Sequence, residues 1–145
     1  MQTSHATHKL LPISARRRES VPLVTSPASC GFPSPADDHL DRALDFNELL
    51  ITNAPATFAV RIAGESMTGA GRFPGDIAIV DRSIAPANGC VVLALVDGEF
   101  TIKRYHLVAG GVVLKPENPT FVDIIIREDA EFEVWGVVKH AIRVF

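Results

Sequence analysis

Seven short runs of β-forming residues follow Pro55, with turn signals between successive runs. Val, Ile, Phe and Tyr dominate these runs, and such residues favour the half-buried surface of a sheet. The runs are TFAVRIA (57–63), IAIVD (77–81), CVVLALV (90–96), EFTIKRYHL (99–107), GVVLKP (111–116), FVDIII (121–126) and FEVWGVV (132–138). The Asp97-Gly98 pair between two of them is typical of a two-residue hairpin turn. The sequence therefore predicts a mostly-β domain of small antiparallel sheets.

A different pattern precedes Pro55. Leucines recur at near-helical spacing between Pro35 and Asn53, at positions 40, 44, 49 and 50. This spacing predicts one or two short helices, with Asp37 or Asp38 as the cap and Asp45 as a possible break.

The first 29 residues sustain neither helical nor strand periodicity and are predicted to form an extended, weakly ordered arm. Residues 1–30 carry four basic side chains and one acidic one, whereas residues 31–145 carry ten basic and sixteen acidic ones. A basic arm of this kind can lie back on the acidic body or reach an acidic partner. No role is assigned to the Arg16–Arg18 run.

Composition narrows the classes of protein. A chain of 145 residues fits one domain with an appendage, and no apolar run approaches the roughly 18 residues that span a bilayer. The N-terminus lacks the apolar segment of a secretory signal. Cys30 and Cys90 are expected to be reduced thiols of a cytoplasmic protein, although the sequence alone also allows a disulfide between them. No cofactor fingerprint or usable metal-ligand spacing is present, so neither cofactor nor metal is expected.

One serine and one lysine are candidates for chemistry. Ser66 lies in AGESMTG, where nearby glycines let backbone N–H groups approach a reacting carbonyl. Lys103 lies inside the predicted strand EFTIKRYHL, and burial there would lower its pKa enough for it to act as a base. The alternatives are a serine that only forms a turn and a lysine that extends along the sheet edge into solvent.

Four separated segments resemble a known family. GESM, FPGDIAIVD and VDGEFTIKRY are similar to the UmuD branch of the LexA-type self-cleaving Ser–Lys peptidases. CGFPSP (30–35), with DFNELLI downstream, resembles the cleavage region of that branch and the residues after it. The resemblance runs from Cys30 nearly to the C-terminus, and it implies a LexA/UmuD-like peptidase domain.

The resemblance assigns roles to individual residues. It implies that Ser66 is the nucleophile, that Lys103 is the general base and that the Cys30–Gly31 bond is cut. Residues 1–30 would then be an arm removed by self-cleavage, and residues 31–145 the peptidase domain that remains. The backbone N–H groups of Ser66 and Met67 are the expected oxyanion donors.

The same resemblance implies partners. They are a second copy of the chain in a homodimer, a RecA filament on single-stranded DNA that promotes cleavage, and an error-prone UmuC-type polymerase. Neither membrane association nor sequence-specific DNA binding is expected. The main alternative is a non-enzymatic module of the same fold that binds polymerase and recombinase. A repressor would need a DNA-binding head that thirty residues with no helical pattern do not provide, and a signal peptidase would need a membrane anchor.

Overall fold

The computed structural model describes residues 9–11, 13, 20–24 and 40–145. The chain forms two compact units, one made of residues 1–13 and 53–145 and the other of residues 14–52. In chain order the elements are β1 (Lys9–Leu11), β2 (Ser20–Val24), β3 (Leu40–Asp45), α1 (Phe46–Leu50), a 3₁₀ turn at Ala54–Ala56, β4 (Thr57–Arg61), a 3₁₀ turn at Thr68–Ala70, β5 (Ile77–Asp81), β6 (Val91–Val96), β7 (Glu99–Val108), β8 (Gly111–Lys115), β9 (Ile124–Ile125) and β10 (Phe132–Ile142).

The larger unit is built on one eight-stranded antiparallel sheet with the order β1-β4-β5-β10-β6-β7-β8-β9. Each of the seven predicted runs contains or overlaps one of its strands, and β5 has the predicted bounds. The predicted mostly-β fold is therefore confirmed, with most strands joined in a single large sheet. The predicted run 121–126 is the weakest match, because only two of its residues pair with β8.

The β6–β7 hairpin forms as the Asp97-Gly98 pair predicts. Val96 pairs with Glu99, and both turn residues have a positive φ, +47° for Asp97 and +84° for Gly98. This conformation matches the twist of the two strands and favours Asp and Gly at the turn. The tight turn sets the register of β7 against β6, which places Lys103 opposite Val92.

The smaller unit corrects the helix prediction. Leu40–Asp45 is a strand that pairs with β2, and of the described residues between 40 and 53 only Phe46–Leu50 are helical. Asp45 caps this helix, since its Oδ1 accepts a hydrogen bond of 2.8 Å from the Asn47 N–H. Residues four positions apart lie on one face of a strand as well as of a helix. Pairing with β2, rather than the leucine spacing, therefore determines that this segment is a strand. Asp37 and Asp38 lie outside the described residues.

The N-terminal arm also contains more regular structure than predicted. β1 pairs with β4 at the edge of the large sheet, and β2 pairs with β3. Strands of three and five residues are too short to show a period, and their backbone partners lie far along the chain. The division into residues 1–30 and 31–145 concerns a cleavage product, and it remains a prediction.

Two apolar clusters pack on the large sheet. The first contains Val60, Ile62, Met67, Ala78, Val80, Val91, Leu93, Ile102 and Val138. The second contains Val92, Ala94, Tyr105, Leu114 and Val137. Alternate residues of β6 therefore enter different clusters, so this central strand is buried on both faces. Next to it, β7 is buried from Thr101 to Lys103, which places a charged residue in the interior.

Candidate active site

Lys103 is held in the middle of β7 and is only 2% exposed. Its neighbours in the strand, Thr101 and Ile102, are also buried. Pairing of β7 with both β6 and β8 fixes the strand on either side. Local sequence alone would allow a solvated lysine here, but the sheet removes its side chain from water.

Ser66 meets Lys103 from a loop that follows β4. Lys103 Nζ donates a hydrogen bond of 2.9 Å to Ser66 Oγ, across 37 positions of sequence. Ser66 is itself 6% exposed, and the next residue, Met67, belongs to the first apolar cluster. Burial of Met67 thus holds this part of the loop against the apolar cluster. The structure thus brings together the serine and lysine selected from the sequence.

Two further oxygens surround the amine. Lys103 Nζ lies 2.6 Å from Thr101 Oγ1 and 3.2 Å from the Ile102 carbonyl oxygen. With the Ser66 hydroxyl these groups provide three acceptors, the number that an ammonium group can use. The amine is therefore oriented on all its donor positions.

Burial lowers the pKa of Lys103 from 10.5 to about 8. The cause is desolvation, which disfavours the charged ammonium. At pH 7 roughly one tenth of such a group is neutral. A neutral amine within hydrogen-bond distance of a serine hydroxyl is able to accept its proton, which is the requirement for nucleophile activation.

The loop that carries Ser66 is fastened to residues 117–118. The Glu117 N–H donates to the Ser66 carbonyl at 2.8 Å, and the Gly69 N–H donates to the Glu117 carbonyl at 2.7 Å. A Cβ on Gly69 would lie 2.3 Å from the Glu117 oxygen, so only glycine permits this approach. The GAG sequence suggests a flexible loop, yet the structure holds it in place with these hydrogen bonds.

Glu117 is in turn fixed to β7 by an ion pair. Its Oε1 accepts a hydrogen bond of 2.5 Å from Arg104 Nε, and Arg104 also donates to the Gly89 carbonyl at 2.6 Å. Residues 117–118 therefore act as a clamp on the serine loop, which we define as residues 65–69. Because Arg104 directly follows Lys103, the same strand positions both the candidate base and this clamp. Glu117, Asn118 and Thr101 were not among the site residues predicted from the sequence. Of these three, only Thr101 carries a local signal, because the strand period places it on the same face as Lys103, two positions away.

The remaining predicted site residues are placed as follows. Cys30 and Gly31 lie outside the described residues. Met67 directly follows the serine and is 2% exposed, and its role as an oxyanion donor stays a prediction. Cys90 is half-buried beside the second apolar cluster, where its Sγ accepts a hydrogen bond of 3.4 Å from the Ala87 N–H. In the part of the chain that the structure covers, no hydrogen bond joins a histidine to Ser66 or Lys103.

Within residues 9–11, 13, 20–24 and 40–145, no helix has the length and apolar character needed to cross a membrane. No group of three or more His, Cys, Asp or Glu side chains in these ranges is placed to hold a metal ion.

Comparison with known proteins agrees with the resemblance inferred from the sequence. The Peptidase S24-like family model matches residues 22–139. SamA of Salmonella typhimurium strain LT2 is 39% identical, over 83% of this chain and 84% of SamA. MucA of Escherichia coli is 36% identical over 88% of each chain. LexA repressor 1 of Xanthomonas campestris is 38% identical over 79% of this chain and 57% of the repressor.

Proposed function

Because the chain belongs to the Peptidase S24-like family, we propose that it is a self-cleaving serine peptidase that cuts its own Cys30–Gly31 bond. The observation that carries the proposal is the buried 2.9 Å hydrogen bond between Lys103 Nζ and Ser66 Oγ. A Ser–Lys pair needs neither histidine nor metal, since the lysine alone moves the proton.

The first half of the reaction forms an ester. Neutral Lys103 takes the proton of the Ser66 hydroxyl as Oγ attacks the carbonyl carbon of Cys30. The backbone N–H groups of Ser66 and Met67 stabilise the resulting oxyanion. The Lys103 ammonium then gives its proton to the Gly31 nitrogen and the C–N bond breaks. Gly31 becomes a free amino terminus, and residues 1–30 stay attached through an ester between the Cys30 carbonyl and Ser66 Oγ.

The second half releases the arm. Neutral Lys103 now takes a proton from water, and the hydroxide attacks the ester carbonyl at Cys30. The bond to Ser66 Oγ breaks, Oγ recovers the proton from Lys103, and residues 1–30 leave with a terminal carboxyl group that releases its remaining proton to solvent. The enzyme groups end in their starting protonation states.

The substrate segment is part of the same chain, so strong binding contacts are not required for this segment to occupy the cleft. A tethered segment has a high effective concentration near the serine, and a weakly fitting cleft suffices. A lysine that is mostly protonated at neutral pH makes the cut slow, which suits a reaction that waits for a stimulus.

The UmuD-like resemblance supplies the biological setting of the proposal. A RecA filament on single-stranded DNA stimulates cleavage during the SOS response to DNA damage. The trimmed chain, as a cytoplasmic homodimer, then supports translesion synthesis by a UmuC-type polymerase.

A mass measurement tests the proposal. Purified protein is incubated either at mildly alkaline pH or with RecA, an ATP analogue and single-stranded DNA. We expect a fragment that begins at Gly31, and no fragment from Ser66→Ala or Lys103→Arg. A full-length chain that stays intact under both conditions would instead support a non-enzymatic binding module.

A further inference from the structure

We infer that Asn118 is a positioning residue that turns the N–H groups of Ser66 and Met67 toward the developing oxyanion. The inference rests on the proposed peptidase function and adds to its machinery. Asn118 contacts neither the Ser66 hydroxyl nor the Lys103 amine, and its effect passes through the backbone of the serine loop.

The first peptide group that Asn118 fixes joins Glu65 to Ser66. Asn118 Nδ2 donates a hydrogen bond of 2.9 Å to the Glu65 carbonyl oxygen. In a planar trans peptide the carbonyl and the following N–H point in opposite directions. Holding the Glu65 carbonyl toward Asn118 therefore turns the Ser66 N–H away from it.

The second peptide group joins Ser66 to Met67. The Ser66 carbonyl accepts a hydrogen bond of 2.8 Å from the Glu117 N–H, in the residue next to Asn118. By the same geometry the Met67 N–H points away from the 117–118 segment. Two successive N–H groups thus face the side opposite the clamp.

These two N–H groups make no hydrogen bond to any acceptor in the described part of the chain. Both residues are buried, at 6% for Ser66 and 2% for Met67. A buried donor without a partner is costly, and such groups are found where a ligand or a reacting atom will accept the bond. The arrangement matches an oxyanion hole made of the nucleophile's own N–H and a neighbour.

Asparagine is suited to this position by its two different ends. Asn118 Oδ1 accepts hydrogen bonds from the Thr120 N–H at 3.0 Å and the Thr120 hydroxyl at 2.8 Å. Because those partners need an acceptor, the NH₂ end must face the serine loop. Aspartate would keep the acceptor and replace the donor by a charge that repels the Glu65 carbonyl.

The test compares Asn118→Asp and Asn118→Ala with the wild-type chain, by following the rate of the Gly31 fragment between pH 6 and 10. Asn88→Asp is the matched control, since the Asn88 Oδ1 accepts from the exposed Leu107 N–H and aspartate retains that oxygen. We expect both Asn118 variants to cut at least tenfold more slowly on the alkaline plateau. Asn118→Ala, which adds no charge near Lys103, should keep the wild-type midpoint of the pH profile. The control should keep the wild-type rate.

The pH midpoint separates positioning from general loosening. In Asn118→Ala, a site that merely opened to water would return the pKa of Lys103 toward 10.5 and move the midpoint upward, which would overturn the inference. Variants that cut within threefold of wild type would also overturn it. If the wild-type chain does not cut at all, the peptidase proposal itself fails and the inference falls with it.

A wild-type measurement decides the matter if the variants do not fold. Amide exchange by NMR should show slow exchange for the Asn118 side-chain amide and for the Gly69 N–H, and faster exchange for the Met67 N–H. A Met67 N–H protected as strongly as that of Gly69 would show that it already has a partner, and would overturn the inference.

Discussion

Thr101 Oγ1 lies 2.6 Å from Lys103 Nζ, closer than the 2.9 Å that separates Nζ from Ser66 Oγ. Both residues lie on one face of β7, two positions apart, and both are buried. The threonine hydroxyl thus binds the amine in the interior of the sheet, away from solvent, and it orients Nζ toward the serine. Its removal should alter both the orientation and the proton affinity of the lysine.

Replacing Thr101 by valine tests this relationship, because the two side chains have nearly the same shape. The ammonium loses an acceptor, so the pKa of Lys103 should fall further and the midpoint of the cleavage pH profile should move to lower pH. The plateau rate should fall about tenfold, since Nζ is less well oriented. Thr101→Ser, which keeps the hydroxyl, should restore both values. A Thr101→Val profile that overlays the wild-type one would exclude this role.

The pH dependence of the wild-type reaction follows from the lowered pKa of Lys103, about 8. Only the neutral amine accepts the serine proton, so the cleavage rate should rise about tenfold per pH unit below pH 8 and level off above it. The measurement is the rate of fragment formation between pH 6 and 10. A rate independent of pH in this range would count against Lys103 as the base.

Part of this site was predictable from the sequence. Ser66 in a glycine-rich turn and Lys103 inside a strand pattern were found from residue type and position. Their approach depends on the register of β7, which the Asp97-Gly98 turn helps to set. The clamp at 117–118 was not predicted, because its bonds to residues 65–69 link segments about 50 positions apart and carry no local periodicity.

The fold shows the same division between local and long-range signals. The positions of the strands after Pro55 follow from β-rich runs and turn residues, and β5 also has its predicted bounds. The strand at Leu40–Asp45 was predicted as helix, because leucines four apart fit both periods and the pairing partner β2 is not visible in a local pattern. Pairing across the chain, rather than propensity, decided that segment.

Burial of Lys103 should also make stability depend on pH. Its pKa is about 8 in the folded chain and about 10.5 when unfolded, so between these values the unfolded chain binds more protons. The free energy of unfolding should therefore rise from pH 8 to pH 10.5, by roughly 3 kcal/mol at most. Urea unfolding of Ser66→Ala, which cannot cut itself, measures the rise.

The control for this experiment is the double variant Ser66→Ala with Lys103→Met, which has no titrating amine at this position. The difference in unfolding free energy between the two proteins should change with pH only in the window from 8 to 10.5. A constant difference would mean that Lys103 titrates normally in the folded chain.

Asp76 and Arg143 supply a prediction at acidic pH. Arg143 donates two hydrogen bonds of 2.9 Å to the buried Asp76 carboxylate, and this lowers the pKa of Asp76. A carboxylate whose pKa is lowered on folding stabilises the fold at any pH above its unfolded pKa, which is 3.8 for Asp76. This stabilisation is lost as the pH falls through the pKa of the folded chain. Arg143→Ala should therefore move the acid-unfolding midpoint to higher pH, as followed by circular dichroism. The matched variant Arg127→Ala, at a different arginine, should leave the midpoint unchanged.

Gly69 offers the most direct test of the clamp on the serine loop. In Gly69→Ala the new Cβ would lie 2.3 Å from the Glu117 carbonyl oxygen, a contact that must be relieved by moving backbone. The 2.7 Å hydrogen bond from the Gly69 N–H would lengthen, and the Ser66–Met67 peptide would lose its fixed orientation. We expect the cleavage rate to fall at least tenfold while the chain still unfolds cooperatively on heating. A variant that cuts at the wild-type rate would show that the loop tolerates displacement from residue 117, so that clamp and chemistry are independent.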